Sequence, residues 1–222
     1  MRAFMPRGFA MLRYLPARDL HLHPRLRDSM FRDRADQFSA RLGWPVTVDA
    51  QGFETDAYDA LNPLYVIWQG ADGLHRGSMR FLPTTGPTMI ADHFAHLLQG
   101  HVLASRKTWE CTRFCLGAKA GGRVAAGLML GGGEVMRGYG ISRFAGVFDA
   151  RMVRIYRQIG ASPQELGSAG TGRDRIAVGL WAFSDAARAR VARRAGIAPA
   201  VSDLWFRRSL GTRSTAGLAP NT

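Results

Sequence analysis

Lysine is almost absent from this chain of 222 residues: Lys107 and Lys119 are the only two, and arginine supplies the rest of the positive charge. Acidic residues are also few, with 17 aspartates and glutamates against 30 basic residues, which leaves a formal net charge of +13. Such a chain should attract acidic partners, whether nucleic acid, an acidic protein or a phosphorylated carrier group. Because an arginine bias can also reflect genome composition, the charge alone does not choose among them.

Cysteines and long apolar runs are scarce as well. The two cysteines, Cys111 and Cys115, lie four residues apart in one predicted strand, which suits neither a disulfide nor a metal site, so we expect buried reduced thiols. No run of about 18 apolar residues exists, so neither a membrane-spanning helix nor membrane insertion is predicted. Prolines and arginines interrupt the first 20 residues before a secretory signal could form. These absences predict a cytoplasmic protein.

The length favours one domain over residues 1–222, with a core at about 20–196 and a flexible tail at 209–222. Apolar periodicity predicts helices that alternate with strands, which indicates an α/β or α+β sheet covered by helices. Asp72-Gly73 marks a hairpin turn between the first two strands. The predicted strands are 64–69, 77–83, 108–116, 141–148 and 175–184, and the predicted helices are 20–42, 86–98, 121–140, 149–160 and 184–196.

Charged residues interrupt two of these apolar strands. Arg80 lies in one, Glu110 and Arg113 lie in another, and the nearby loop segment "ETDAYD" carries Asp56 and Asp59. Charged side chains are rarely buried unless they are paired, so we expect a network that joins these arginines and carboxylates. Taken singly, each residue is more often a surface or capping residue than a functional one. In "WECTRF", the odd spacing would send Glu110 and Arg113 to opposite faces of a regular strand.

The order and separation of these residues resemble those of acyl-homoserine-lactone synthases of the autoinducer-synthesis (LuxI-type) family. The likeness is specific from about residue 20 to 116 and weaker up to about 196. The pair Arg27 and Phe31 offers a competing register for the first motif, but it does not keep the family's distance to Trp44. The matching segments are "RADQFSARLGW" with Arg34, Phe38 and Trp44, "ETDAYD" with Asp56 and Asp59, "SMRFLPTTGPTMI" with Arg80, and "WECTRF" with Glu110 and Arg113.

The resemblance implies a fold like that of GNAT-type acetyltransferases: an α-β-α sandwich whose mixed, twisted sheet is split by a V-shaped gap between its central strands. It also implies a bulge in strand 108–116, which would turn Glu110 and Arg113 toward one pocket. The implied reaction is acylation of the amine of S-adenosylmethionine by an acyl-carrier-protein thioester, followed by lactone closure and release of methylthioadenosine. The product would be a quorum-sensing signal.

The same resemblance implies roles for the charged residues. Glu110 would be the base that takes the proton of the amine, because a carboxylate among apolar neighbours should have a raised pKa. Arg80 and Arg113 would hold carboxylates, those of Asp56 and Asp59 on one side and that of the substrate on the other. Main-chain N–H groups opened by the bulge could stabilise the thioester oxyanion.

Further residues are assigned to the two substrates. Phe38 and Trp44 would cover S-adenosylmethionine, because their π faces attract its sulfonium, and Arg34 and Arg113 would bind its polar groups. The segment "AGVFD" has no hydroxyl where the family places the threonine associated with 3-oxo chains, so a 3-oxo preference is not expected. Candidates for lining the acyl pocket, which plain core packing explains equally well, are Phe114, Met129, Phe148 and Met152.

A row of arginines suggests where an acidic acyl-carrier protein would dock, although a solvated helix face explains it equally well. Arg154 matches a basic position of the family, and its two companions follow from their three-residue spacing on the predicted helix. The row consists of Arg151, Arg154 and Arg157.

Three alternatives stay open. The chain could be a GNAT-type N-acyltransferase that uses an acyl-coenzyme A donor, which would release no methylthioadenosine, and some family members themselves use coenzyme A thioesters. A nucleic-acid-binding module is less favoured, because the aromatic residues fall at core spacings. A metal site is weaker still, because His93 and His96, like His21 and His23, have no third ligand. We therefore expect no metal and no cofactor, since S-adenosylmethionine is a substrate.

Overall fold

The computed structural model describes residues 9–210, and its centre is one seven-stranded mixed sheet. The strands are β1 (Met11–Pro16), β2 (Leu64–Gln69), β3 (His75–Pro83), β4 (Thr108–Leu116), β5 (Arg143–Asp149), β6 (Gln164–Ala169) and β7 (Ile176–Ala182). They lie in the order β1-β2-β3-β4-β5-β7-β6, and each neighbouring pair is antiparallel except β4 and β5, which are parallel.

Helices cover both faces of this sheet. They are α1 (Pro24–Ala35), α2 (Met89–His93), α3 (Val124–Gly138), α4 (Ala150–Ile159), α5 (Asp185–Ala195) and α6 (Pro199–Leu210). A π-helical turn, Asp36–Arg41, continues α1, and short 3₁₀ turns occur at Ala17–Leu22, Ala57–Leu61, Ala95–Leu98 and Gly172–Asp174. The predicted ends of α4 are confirmed, because Asp149 accepts hydrogen bonds from the first turn and Gly160 follows the last turn with a φ of 79°.

Alternation along the strands divides the apolar side chains between the two faces. Residues such as Leu12, Val66 and Met79 form the large core together with α3, α5 and α6. On the other face, α1 packs on β1 and β2, and the segment that contains α2 packs on β5 and β7. Strands β3 and β4 lie between these two smaller apolar patches, and there they carry charged side chains instead.

The predicted V-shaped gap is present between β4 and β5. The two strands pair only from Thr108 to Glu110 and from Arg143 to Ala145, although β4 continues for six further residues and β5 for four. Glu110 is therefore the last residue of β4 that pairs with β5, and it lies at the apex of the gap. Because α4 follows β5 without a loop, the start of α4 lies at the wide mouth.

The predicted bulge in β4 is also present. Ser78 pairs with Cys115 but Arg80 pairs with Thr112, so β4 holds one residue more than β3 in this interval. The extra residue bends the strand at Arg113, whose φ of 52° is left-handed and uncommon for a residue with a side chain.

The sequence analysis missed three elements, β1, β6 and α6. Both strands lie at the edges of the sheet, where pairing on one side only weakens the sequence pattern, and β6 also contains Gly167. The structured core therefore extends beyond 20–196, and the first two residues of the predicted tail 209–222 belong to α6. The rest of that tail lies outside the described residues.

Two predicted helices are interrupted. The predicted helix 20–42 consists of a 3₁₀ turn, α1 and the π-helical turn, because Pro24 begins α1 and lacks the N–H that would extend the preceding turn. The predicted helix 86–98 divides at Phe94 into α2 and a 3₁₀ turn. Within residues 9–210, no helix combines the length and apolarity needed to cross a membrane.

Candidate active site

Six charged side chains converge between α1, β3, β4 and the acidic loop, which we define as residues 54–59. Three are arginines and three are carboxylates, so their formal charges cancel. The arginine side chains are at most 8% exposed, and burial of a guanidinium is costly unless carboxylates compensate it. This charged cluster consists of Arg34, Glu54, Asp56, Asp59, Arg80 and Arg113.

Arg34 binds the first and last residues of the acidic loop. Its Nε donates to Glu54 at 2.5 Å, and its two terminal nitrogens donate to the two oxygens of Asp59 at 3.0 and 2.9 Å. Arg27, from the competing register, pairs instead with its neighbour Asp28 in a partly exposed position. This supports Arg34 as the motif residue. Because Arg34 is fully buried against carboxylates, its contact with S-adenosylmethionine stays a prediction.

Arg80 and Arg113 also bind carboxylates of the acidic loop. One terminal nitrogen of Arg80 lies 2.5 Å from Asp56 and 2.7 Å from Asp59. One terminal nitrogen of Arg113 lies 2.8 Å from both Glu54 and Asp56. The predicted network between these arginines and the two aspartates is therefore present.

The acidic loop is held by its own backbone as well as by the arginines. Asp56 caps the 3₁₀ turn after it, and Asp59 accepts a hydrogen bond from the Asp56 N–H in return. The Tyr65 hydroxyl also donates to Asp59. Burial by itself would raise the pKa of Asp59, but the guanidiniums of Arg34 and Arg80 outweigh burial and hold this pKa well below its usual value. Asp59 is therefore a fixed anion.

Glu110 is not part of this ion-pair network, which corrects the sequence analysis. Its carboxylate accepts hydrogen bonds from the N–H groups of Met89 at 3.1 Å and Ile90 at 2.6 Å, at the start of α2. Glu54 takes the predicted place of Glu110 between the arginines. Burial raises the pKa of Glu110, although the two N–H groups and Arg80 oppose this. The direction of that shift agrees with the prediction.

The bulge in β4 is held from outside by Gln37, which the sequence analysis did not select. Its amide nitrogen donates to the Phe114 carbonyl at 3.0 Å, and its amide oxygen accepts from the Leu116 N–H at 2.8 Å. Gln37 lies in the π-helical turn, a form of helix often found at functional sites. The turn and the bulge therefore fix each other, and the bulge directs Arg113 into the charged cluster.

An aromatic pair lies beside the cluster. Phe38, also in the π-helical turn, stacks on Trp44 with ring centroids 5.2 Å apart, and the Arg113 guanidinium lies 5.3 Å from the Phe38 centroid. Phe38 is buried, whereas Trp44 is 41% exposed. The Trp44 indole is therefore the accessible surface of this pair.

Two guanidinium N–H groups of the cluster face a weak acceptor. The Met89 thioether lies 3.5 Å from a terminal nitrogen of Arg80 and 3.4 Å from a terminal nitrogen of Arg113. A thioether binds such donors far less strongly than a carboxylate does. A carboxylate in the place of the Met89 sulfur would thus form much stronger hydrogen bonds with these two arginines.

The remaining predicted residues lie on the opposite face of the sheet or at its rim. The four acyl-pocket candidates, Phe114, Met129, Phe148 and Met152, all belong to the large core or pack against it. Arg154 and Arg157 are exposed on α4, whereas Arg151 already pairs with Asp149 at 2.6 Å. The structure thus separates a charged site on one face from an apolar region on the other, with the gap between them.

Comparison with known proteins decides the family. The family model for "Autoinducer synthase" matches residues 18–192. The chain belongs to the autoinducer synthase family. An acyl-homoserine-lactone synthase of Rhizobium etli is 42% identical over 178 residues, which covers 77% of this chain and 84% of the relative. The chain is accordingly an acyltransferase of the acyl-homoserine-lactone synthase type.

Solved structures agree with this family. The coenzyme A-dependent acyl-homoserine lactone synthase MesI superimposes with a TM-score of 0.74 at 25% identity, covering 86% of this chain and 98% of that one. A chain described as an N-acetyltransferase from Lactobacillus plantarum matches with a TM-score of 0.51 at 14% identity, which shows the shared fold alone. The predicted GNAT-like sandwich is confirmed.

Sequence reasoning missed two residues of this autoinducer synthase site. Glu54 stands in the quoted segment "ETDAYD", but charge pairing gave no signal for it, since Asp56, Asp59 and Glu110 already matched the three arginines in number. Gln37 carried no signal either, because its partners are main-chain groups of a distant strand.

Replacing Gln37 by leucine should misplace Arg113. The variant Gln37→Leu removes both hydrogen bonds to the bulge, so we expect lactone-synthase activity to fall about tenfold or more, because catalysis depends on placement within about 1 Å. Amide hydrogen exchange at Leu116 should become faster. The matched control is Gln69→Leu, which removes a bond to Arg13 at the far edge of the sheet and should change neither measurement. Full activity of Gln37→Leu would refute the positioning role.

The raised pKa of Glu110 predicts a pH-dependent stability difference. In the unfolded chain this carboxyl loses its proton near its ordinary pKa of 4.5, whereas the folded protein retains it to higher pH. Ionisation of Glu110 is therefore less favourable in the folded than in the unfolded state. The free energy of unfolding of the wild type, relative to that of Glu110→Gln, should decline as pH rises through this interval. Urea unfolding of both proteins at several pH values measures the difference. Effects of the substitution that do not depend on pH shift it by a constant, so its slope against pH reports the ionisation of Glu110. A flat difference would contradict the raised pKa.

Proposed function

We propose that this enzyme makes acyl-homoserine lactones from S-adenosylmethionine and an acyl-carrier-protein thioester. The single observation that supports this most is the Met89 position, where donors from Arg80 and Arg113 face a weak acceptor. Arg113 also lies over Phe38, the ring that stacks on the exposed Trp44 indole. A methionyl carboxylate would replace the Met89 thioether and bind both guanidiniums. The sulfonium and adenosyl groups would then lie against Trp44, with Phe38 supporting it.

The first step in this proposal is amide formation at the apex of the gap. The amine nitrogen attacks the thioester carbonyl, the new C–N bond forms and the C–S bond to the carrier breaks. Glu110, directly or through one water, takes a proton from the amine nitrogen as the C–N bond forms. This proton then passes to the leaving thiolate. Because Glu110 binds the amides of Met89 and Ile90 in the structure, this start of α2 must yield as the amine approaches. Main-chain groups of β4 beyond Glu110, no longer paired with β5, are candidates to stabilise the oxyanion.

The second step is closure of the lactone. A carboxylate oxygen attacks the γ-carbon of the methionyl group, and the bond from this carbon to the sulfonium breaks, which releases methylthioadenosine. No proton moves, so the task of the protein is to orient the carboxylate. Arg80 and Arg113 are suited to it because Asp56, Asp59 and Glu54 hold their guanidiniums in place.

We propose an acyl-carrier protein as the donor because α4 presents exposed arginines at the mouth of the gap. Arg154 and Arg157 carry this argument, whereas the pairing of Arg151 with Asp149 leaves it a smaller part. Coenzyme A thioesters are the second candidate, since MesI, which has a similar structure, is a coenzyme A-dependent synthase. S-adenosylmethionine acts as a substrate in either case, and we propose no cofactor.

A cytoplasmic location belongs to the same proposal. Cys111 and Cys115 are both unbridged, and their burial raises the pKa of each thiol. Unreactive reduced thiols suit a reducing compartment.

Product formation tests the proposal directly. The purified full chain, incubated with S-adenosylmethionine and hexanoyl thioesters of acyl-carrier protein or coenzyme A, should form hexanoyl-homoserine lactone and methylthioadenosine in equal amounts, measured by mass spectrometry. Glu110→Gln and Arg113→Met should each reduce the rate by at least about a hundredfold. Acyl transfer to an amine without methylthioadenosine would instead identify a simple N-acyltransferase.

Matched substitutions on the surface control for folding. Glu165→Gln and Arg175→Met make the same chemical changes in a partly exposed ion pair between β6 and the residue that precedes β7, and both should retain activity. Full activity of Glu110→Gln and Arg113→Met together would refute the site.

Charge reversal on α4 tests the carrier dock. Arg154→Glu should raise the KM for acyl-carrier-protein donor about tenfold and weaken its dependence on salt, because like charges then meet. Its KM for S-adenosylmethionine should not change. The control Arg208→Glu makes the same exchange on α6, which packs beside β1 at the far edge of the sheet, and should be neutral. Unchanged carrier kinetics in Arg154→Glu would remove this helix from the dock.

A further inference from the structure

A wall of aromatic rings closes the apolar side of the gap. Phe114 on β4 and Phe148 on β5 lie on its two sides, and Tyr156 on α4 contacts both, with ring centroids 6.5 and 5.6 Å away. Behind Tyr156 lies Trp181 on β7, at a centroid distance of 5.0 Å. Tyr156 is 5% exposed, so its ring fills the space between the two strands and the core.

These contacts leave no passage for an alkyl chain between the paired rings themselves. Rings with centroids about 4.5 to 7 Å apart touch each other directly. A methylene between two rings would need about 3.5 to 4 Å to the atoms of each, which is more than these pairs provide. An acyl chain that passes between Phe114 and Phe148 would therefore meet the Tyr156 ring.

The wall is also rigid. The Trp181 indole N–H donates to the Ala161 carbonyl at 2.7 Å, and the indole stacks on Phe144 with centroids 5.2 Å apart. Aromatic rings turn about only two side-chain bonds, whereas a methionine such as Met129 adapts to its neighbours. Phe148 also packs closely over Gly179, where a Cβ would lie only 2.8 Å from its ring.

We infer that Tyr156 determines the acyl-chain length of this enzyme and restricts it to short acyl donors such as butanoyl and hexanoyl thioesters. The inference rests on the proposed function, because it requires the acyl chain to enter the gap. A smaller residue at position 156 would extend the slot to Trp181 and admit longer chains. Phe114 and Phe148, predicted as pocket lining, would then form the side walls.

The test compares donors of increasing length. Wild type, Tyr156→Leu and Tyr156→Ala receive butanoyl, octanoyl and dodecanoyl groups, each as coenzyme A and as acyl-carrier-protein thioester, and methylthioadenosine release is measured. The wild-type rate should fall at least about tenfold from butanoyl to dodecanoyl, as a closed apolar pocket discriminates against added methylenes. Tyr156→Ala should reduce that ratio at least about tenfold, and Tyr156→Leu should lie between.

Two control variants separate the effect of the Tyr156 ring from the effects of its hydroxyl and of lowered stability. Tyr156→Phe retains the ring and should keep the wild-type ratio between donors. Phe206→Leu removes a buried ring that contacts Tyr14 and Tyr139, away from the gap, and should lower stability without changing the ratio. A changed ratio in either control would overturn the assignment to the Tyr156 ring.

The wild-type profile decides the inference even where a variant does not fold. Equal rates with butanoyl and dodecanoyl donors would overturn it while leaving the proposed function intact. A folded Tyr156→Leu protein with an unchanged ratio would also overturn it. Absence of methylthioadenosine with every donor would instead refute the proposed function, and the inference with it.

Discussion

Neutralisation of three buried guanidiniums is the constraint on which this site depends. Arg34, Arg80 and Arg113 come from a helix and two strands that the fold places side by side, and burial without carboxylates would cost several kcal/mol for each. The acidic loop supplies the compensating charges, although it has little regular structure of its own. The arginines it binds therefore hold its conformation together with its own capping hydrogen bonds, and the arginines are in turn held in fixed directions.

The sheet separates two kinds of substrate chemistry. The charged cluster and Trp44 lie on one face, the aromatic wall lies on the other, and the gap between β4 and β5 connects them at Glu110. In the proposed reaction, a polar nucleotide and an apolar chain would thus meet at one carbonyl without sharing a pocket. The bulge at Arg113 contributes to both sides, because it turns the guanidinium toward the cluster and Phe114 toward the large core.

Much of this site was predictable from pairing rules, and the failures have a common physical cause. Arg80, Arg113, Asp56 and Asp59 were correctly joined, since a charge within an apolar strand must find a partner. Glu110 was assigned to the same network because sequence offers no view of main-chain donors, and the N–H groups at the start of α2 are its actual partners. The edge strands and α6 were missed because their apolar periodicity is weak. Their structure depends on packing against the rest of the sheet.

The sequence by itself determined the family, the alternation of helices and strands, and the residue types that a charged site requires, because spacing and local periodicity are written along the chain. Tertiary structure alone decided that Glu54 completes the cluster, that Gln37 holds the bulge and that Tyr156 contacts both Phe114 and Trp181. Each of these contacts joins residues far apart in the chain, and two of them depend on main-chain positions or on the angle between two strands. Such geometry arises only when the whole sheet packs, so no local pattern could encode it.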